Sequence, residues 1–193
     1  MKKLFLLLML LPFLSNAQYF NLTENGFVPA IGDNAKFIVI DKAGQTQEEL
    51  FNQVKSYITA SYVSPKDVLS ENGTEMITLN GVSDGDVQCK KGFVMLPFRT
   101  NYTIVFLFKD GRIRINCPVI NSILAESYTL GGQLSGSYQL TLTKNDDVLG
   151  GREQIAVFKG KGKTTKGAKE SIEKYFNSLI ENIVNYNPSE EEW

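Results

Sequence analysis

The spacing of apolar residues changes period several times along this chain, and each change marks an element. Phe37-Ile38-Val39-Ile40 is a short continuous apolar run rich in β-branched residues, as a buried strand requires. The period then lengthens: Leu50, Phe51, Val54, Tyr57 and Ile58 recur at helical spacing and define one apolar face. Thr46 stands at the head of that helix with Glu49 three places on, a capping-box pattern, and Glu48 and Glu49 suit the positive end of the helix dipole. Ser64-Pro65 ends it. Ahead of these elements, residues 18–34 read as an irregular lead-in with turn signals at Asn25-Gly26, Pro29 and Gly32-Asp33-Asn34.

Strand signals follow. Val68-Leu69 leads to Asn72-Gly73, a two-residue hairpin signal, and Met76-Ile77-Thr78-Leu79 runs back. Residues 83–92 are polar, with Ser83-Asp84-Gly85-Asp86 as a turn, and Phe93-Val94-Met95-Leu96 is a further apolar run stopped by Pro97. The clearest hairpin is Tyr102–Cys117, turning at Asp110-Gly111. With those two residues as the loop, Lys109 opposes Arg112, Phe108 opposes Ile113, Phe106 opposes Ile115 and Ile104 opposes Cys117; the last three pairs share the core side. The other side carries Val105, Leu107, Arg112 and Arg114, a face partly apolar and partly basic.

Beyond it, Tyr138, Leu140 and Leu142 alternate with Gln139, Thr141 and Thr143 as in a strand. Asn145-Asp146-Asp147 and Gly150-Gly151 mark a turn, and Gln154 to Phe158 reads as the returning strand. A last helix spans about 166–186, with Ile172, Phe176, Leu179, Ile180 and Ile183 as its buried stripe. The order predicts an α+β fold: helices packed on one face of an antiparallel sheet, with extra strands in 118–165.

The first seventeen residues add an address. Lys2 and Lys3 precede an apolar run from Leu4 to Leu14, and Ser15-Asn16-Ala17 supplies small residues before Gln18. That is the layout of a signal peptide cleaved after Ala17, and the run is shorter than the roughly 20 residues of a membrane-spanning helix. The expectation is a periplasmic or secreted chain whose residues 18–193 form a single domain. Without Lys2 and Lys3 the 20 basic residues become 18 against 21 acidic, a net charge of −3, which attracts no polyanion globally. The chain has no histidine, so Ser–His, Cys–His and His–metal arrangements are excluded. Cys89 and Cys117 are either one disulfide, which an oxidising compartment permits, or two separate buried thiols.

Few motifs carry chemistry. A strand into Gly162-Lys163-Thr164 with a helix after it imitates a phosphate loop, but Val157 stands where that loop needs glycine. What remains is a solvated lysine–glycine loop, or a weak anion site made of Lys159, Lys161 and Lys163. Asp84 with Asp86, and Asp146 with Asp147, fall at predicted turns and lack the ligand series of a calcium loop, so no metal or cofactor is expected. Asn21, Asn72 and Asn101 begin N-x-[ST] triplets, which carry meaning only in a glycosylating host. No nucleophile stands with a base in sequence, although serine–lysine or cysteine chemistry is formally open.

The succession Phe37-Ile-Val-Ile, Thr46-Gln-Glu-Glu-Leu-Phe, Ser64-Pro-Lys-Asp-Val-Leu and the Asp110-Gly111 hairpin resembles a family of small exported proteins of Bacteroides-type bacteria, a domain of unknown function with a TATA-binding-protein-like (TBP-like) fold. The resemblance covers about 35–120 as the core and, more loosely, the helix at 166–186. It implies a curved antiparallel sheet with helices on its convex side, and it implies no activity or catalytic residue. Fold does not imply function, and the acidic balance of an exported chain argues against nucleic acid. The leading expectation is a non-enzymatic binding module of the envelope, working through the face of Val105, Leu107, Arg112 and Arg114 on a protein or small ligand. The alternatives are a hydrolase-type enzyme using carboxylate, serine or lysine chemistry, and a structural component dimerising through the sheet face.

Overall fold

The computed structural model describes residues 18–32, 35–128 and 132–187. The leader read at 1–17, the turn residues Asp33-Asn34 and the chain beyond 187 lie outside the described residues. In chain order the elements are β1 (Phe20–Thr23), β2 (Gly26–Pro29), β3 (Phe37–Asp41), α1 (Gln47–Ser61), α2 (Pro65–Val68), β4 (Leu69–Asn72), β5 (Met76–Lys91), β6 (Val94–Lys109), β7 (Arg112–Asn116), β8 (Val119–Tyr128), β9 (Leu134–Thr141), β10 (Glu153–Ala156) and α3 (Ala168–Asn185).

The Asp110-Gly111 hairpin organises the sheet. Lys109 pairs with Arg112, Phe108 with Ile113 and Phe106 with Ile115, as the alternation requires. The expected Ile104–Cys117 pair is not formed, because the chain breaks register at Cys117-Pro118. It then resumes along the same strand, with Thr103 opposite Val119 and Arg99 opposite Leu124, and a second shift at Asn121. β7 and β8 are thus successive lengths of one strand along β6. β3 pairs with the first length and β9 with the second, both antiparallel. β5 flanks β6 on its other side and β4 closes that edge, giving one eight-stranded sheet.

Strand periodicity places Ile77, Leu79, Phe98, Tyr102, Ile104, Phe106, Phe108, Ile113 and Ile115 on one face, all buried. The buried stripe of α3, which includes Ile172, Phe176, Ile180 and Ile183, packs on that face with Leu50, Val54 and Ile58 of α1. Each such side chain withdrawn from water contributes about 1.5–3 kcal/mol. The capping box on α1 is present: Thr46 accepts from the Glu49 amide at 3.3 Å, and Glu49 Oε2 accepts from the Thr46 amide at 2.7 Å.

Several expectations are corrected. The lead-in is a hairpin, β1–β2, whose Phe20, Leu22 and Phe27 are buried. Asn177 of α3 holds it: its Oδ1 accepts from the Tyr19 and Phe20 amides at 2.8 and 2.9 Å, and its Nδ2 donates to the Phe20 carbonyl at 3.0 Å. The β4–β5 loop has three residues rather than two, since Asn72 pairs with Met76. Residues 83–86 do not turn: they run through the 16-residue β5, with a bulge at Gly85-Asp86 between the paired Asp84 and Val87 and Gly85 at φ +89° supplying the kink. Pro97 does not stop its strand either. It opposes Gln88, whose N–H points away from β6 to Ser171 Oγ (2.8 Å), so the pair is a non-hydrogen-bonded one. The proline nitrogen therefore faces the side from which β8 has already parted, beyond the Arg99–Leu124 pair, and no ladder bond is lost.

The sheet is also mixed rather than wholly antiparallel. β10 does not return antiparallel; it runs parallel to β9, Ile155 beside Leu140. Side-chain amides guide the crossover. Gln139 accepts from the Leu149 amide and donates to the Asp147 carbonyl, while Gln154 Nε2 donates to Thr141 Oγ1 and to the Thr143 and Asp146 carbonyls.

Candidate functional site

Val105, Leu107, Arg112 and Arg114 all lie on the sheet face opposite α1 and α3. β8, β9 and β10 extend the sheet sideways in its own plane instead of lying over this face. Val105 and Leu107 are half-buried; both arginines are exposed. The ladder sets one straight row across five strands: Val39, Arg114, Leu107, Met76 and Asn72. A parallel row holds Val105, Thr78 and Ser70. Arg114 lies over the Phe37 ring, 3.9 Å from its centroid, and donates to Asn116 Oδ1 at 3.2 Å. Arg112 stands directly opposite Asp41. Farther along, the same face becomes an amide–hydroxyl ladder, with Thr103 donating to Asn80 at 2.9 Å, Asn121 to Thr103 at 3.1 Å and Asn101 to Ser122 at 2.8 Å. The face is therefore divided: one half apolar and basic, the other neutral and satisfied by its own hydrogen bonds. Arg114 also borders a cleft of about 760 Å³ where β7 passes into β8, lined by Phe27, Lys36, Cys117 and Ile120 among others.

The other predicted groups fall elsewhere. Cys89 and Cys117 are free thiols. Cys89 opposes Leu96, whereas Cys117 lies where the neighbouring strand passes Thr103 to Phe106, at least seven residues along β6. At about 3.3 Å per residue that separation is over 20 Å, far beyond the ~7 Å Cα limit of a disulfide. The alternative of two separate thiols is the arrangement found. Burial pushes both thiols above the usual value, with Lys159 and Lys91 pulling Cys89 the other way. Lys159, Lys161 and Lys163 are exposed on a tight loop closed by a Phe158–Thr164 bridge. Asp146 is occupied as a turn residue, accepting from the Thr143 amide and hydroxyl at 2.7 and 2.8 Å. Among the described residues no cluster of three or more potential metal ligands occurs.

One constellation escaped the sequence. Tyr102, fully buried on β6, faces Gly81 of β5, where a Cβ would overlap its ring. Its hydroxyl sits 2.6 Å from that of Tyr62 and accepts from that of Tyr175 at 2.9 Å. These rings stand beside an open groove of about 1230 Å³, lined by Tyr57, Tyr62, Asp86, Arg99, Lys174 and Tyr175 among others. Burial, with the neighbouring phenols, pushes Tyr102 far above the usual tyrosine value; burial first also raises Tyr62 and Tyr175. All three stay protonated under ordinary conditions and act as hydrogen-bonding groups rather than bases. The signal was a glycine opposite an aromatic, but it is visible only once β5 is known to run unbroken through 83–86.

No family model matches the chain, and no curated protein matches it. Among solved structures, it is similar to the crystal structure of a TBP-like protein from Parabacteroides distasonis ATCC 8503, with a TM-score of 0.44 and 15% sequence identity, over 78% of this chain and 92% of that one.

Proposed function

We propose that this protein is a non-enzymatic binding module, exported to the bacterial envelope by cleavage after Ala17, which holds a protein partner on the apolar and basic half of its open sheet face. The observation that carries the reading is the row Val39–Arg114–Leu107–Met76, flanked by Arg112. Arg112, Arg114 and Lys109 outnumber Asp41 at that end, so the complementary partner presents acidic groups around an apolar centre. The resemblance of the sequence to exported TBP-like proteins agrees with this setting. Among the described residues no helix is long and apolar enough to cross a membrane.

The test compares Gln18–Trp193 with its Arg112→Glu/Arg114→Glu variant, both immobilised and exposed to envelope extract, after circular dichroism has shown both folded. A defined protein retained by the first and lost by the second supports the reading; equal retention overturns it. Sedimentation of the two forms decides the competing case: a dimer dispersed by the same substitutions makes the face a self-association surface. Hydrolysis of model ester or glycoside substrates by the purified chain would favour the enzyme alternative instead.

A further inference from the structure

The β5–β6 hairpin outruns its neighbours. β8 leaves β6 at Arg99, so residues 94–98 of β6 pair only with β5. The inner face of this arm is anchored, because Val87, Cys89, Leu96 and Phe98 are buried. Its turn is Gly92-Phe93, with Gly92 at φ +60° in the first loop position, where a type II′ turn places glycine. The tip is apolar and in water: Phe93 is fully exposed, Val94 is 60% exposed and Met95 50%. The strand pair thus presents Phe93 at its turn, with Val94 and Met95 exposed just behind it on opposite faces of the arm.

Cations lie along the arm and on the loop tied to it. Lys90 is exposed on the arm itself, and its amide donates to the Lys166 carbonyl at 3.2 Å, tying the arm to the loop that precedes α3. That loop carries Lys159, Lys161 and Lys163, pinned by the Lys159 amide to the Lys163 carbonyl at 2.8 Å and the Lys163 amide to the Gly160 carbonyl at 3.1 Å. Lys161 sits at φ +52°, an unusual position for a long side chain. Lys91 is engaged with Glu153 and lies 3.8 Å from the centre of the Tyr138 ring. Among the described residues none of the ion pairs found engages Lys90, Lys159, Lys161, Lys163 or Lys166. Glu170, in the first turn of α3, and Asp84 and Asp86 also stand toward this end, on the groove that Met95 borders.

We infer that this end of the molecule docks on an anionic lipid bilayer, with Phe93, Val94 and Met95 entering the interface and the lysines of the arm and of the 159–166 loop lying on the headgroups. The two features complement each other. The apolar tip supplies insertion, and the lysines supply a local positive field on a chain whose net charge is negative. Each lysine held near such a surface strengthens binding by roughly five-fold. A polyanion in solution would use the lysines and leave Phe93 without a role.

Gln18–Trp193 is mixed with vesicles of phosphatidylcholine alone or with 30% phosphatidylglycerol, and bound protein is measured by co-sedimentation. Binding is expected only to the anionic vesicles, weakening as salt rises. Phe93→Asp and, separately, Lys159→Glu/Lys161→Glu/Lys163→Glu are each expected to reduce it at least ten-fold with unchanged circular dichroism. Phe93→Trp in a Trp193→Phe background should shift its emission to the blue on the same vesicles. Absence of binding to anionic vesicles overturns the inference. So does binding that Phe93→Asp leaves intact, which would mark the lysines as a plain polyanion site; that outcome leaves the sheet-face reading untouched.

Discussion

Gly81→Ala should be among the most damaging single-methyl additions in this fold. Gly81 and Tyr102 are direct cross-strand partners on the core face, and the added carbon would collide with Cζ and the hydroxyl oxygen of Tyr102. Tyr175 and Phe176 pack edge-on against the ring at centroid distances of 5.8 and 5.1 Å, so it can move only by displacing them. Overpacking of this kind costs about 1–3 kcal/mol. Displacing the ring also disturbs the hydroxyl contacts to Tyr62 and Tyr175, each worth about 0.5–1.5 kcal/mol. The expected loss is therefore about 3–4 kcal/mol, a large share of the ~5–15 kcal/mol that holds a typical domain folded. Urea unfolding followed by circular dichroism measures it as a lower midpoint at unchanged slope. The cause is separable, because in a Tyr102→Leu background the collision is gone and Gly81→Ala should cost under about 1 kcal/mol. Equal costs in both backgrounds, or under 0.5 kcal/mol in the native one, would refute the argument.

Asn177→Ala removes the clamp on β1 and leaves the Tyr19 and Phe20 amides without their acceptor, so a loss of about 3 kcal/mol is expected by the same unfolding assay. Titration of the phenols by absorbance should show Tyr19, Tyr62, Tyr102 and Tyr175 resisting ionisation until the fold gives way, since burial raises each above its usual value. For these acids the folded state holds the proton more tightly, so their contribution is complete below the unfolded value of about 10 and is lost as pH rises beyond it; stability flat from pH 9 to 12 would contradict this. Both thiols should react with a thiol reagent after unfolding without reductant, and half-exposed Cys117 should react before buried Cys89 in the folded protein; finding no free thiol would mean that the strand register is wrong.

Elements governed by local signals were legible in the sequence. The capping box, the stripe of α3 and the first three pairs of the 110–111 hairpin need only spacing and turn chemistry, and they stand where expected. What spacing cannot show is a defect inside a strand. In sequence the bulge between Asp84 and Val87 looks like a turn and Pro97 like the end of a strand, because aspartate, glycine and proline carry the same local preferences in either setting. Only the partner strand distinguishes them. With a turn at 83–86 and a stop at Pro97 the arm is not visible, and Phe93-Val94-Met95-Leu96 is only a short apolar run, whereas the structure exposes its first three residues and buries Leu96. The same misreading hid Gly81 opposite Tyr102 and with it the tyrosine cluster. The parallel β10 was out of reach for another reason: the side-chain amides that steer it, Gln139 and Gln154, act across eight to thirteen residues of chain. The four residues of the open face were placed on one side by alternation alone, but their row with Val39 and Met76 depends on strands distant in sequence.

The union of β7 and β8 into one strand bears on how the chain acquires its shape. From Met76 to Tyr128 every strand pairs with one adjacent in sequence, and the connecting loops are short. Closing such loops costs little entropy, so this middle third can assemble early as a local zipper. β3 must find β7 across some seventy residues, and β1 must find α3 across about a hundred and fifty. Both wait for a template that the central hairpins have already set. A chain emerging N-terminus first therefore keeps β3 unpaired until β7 arrives, and acquires the last bolt, Asn177 on β1, only once α3 has followed.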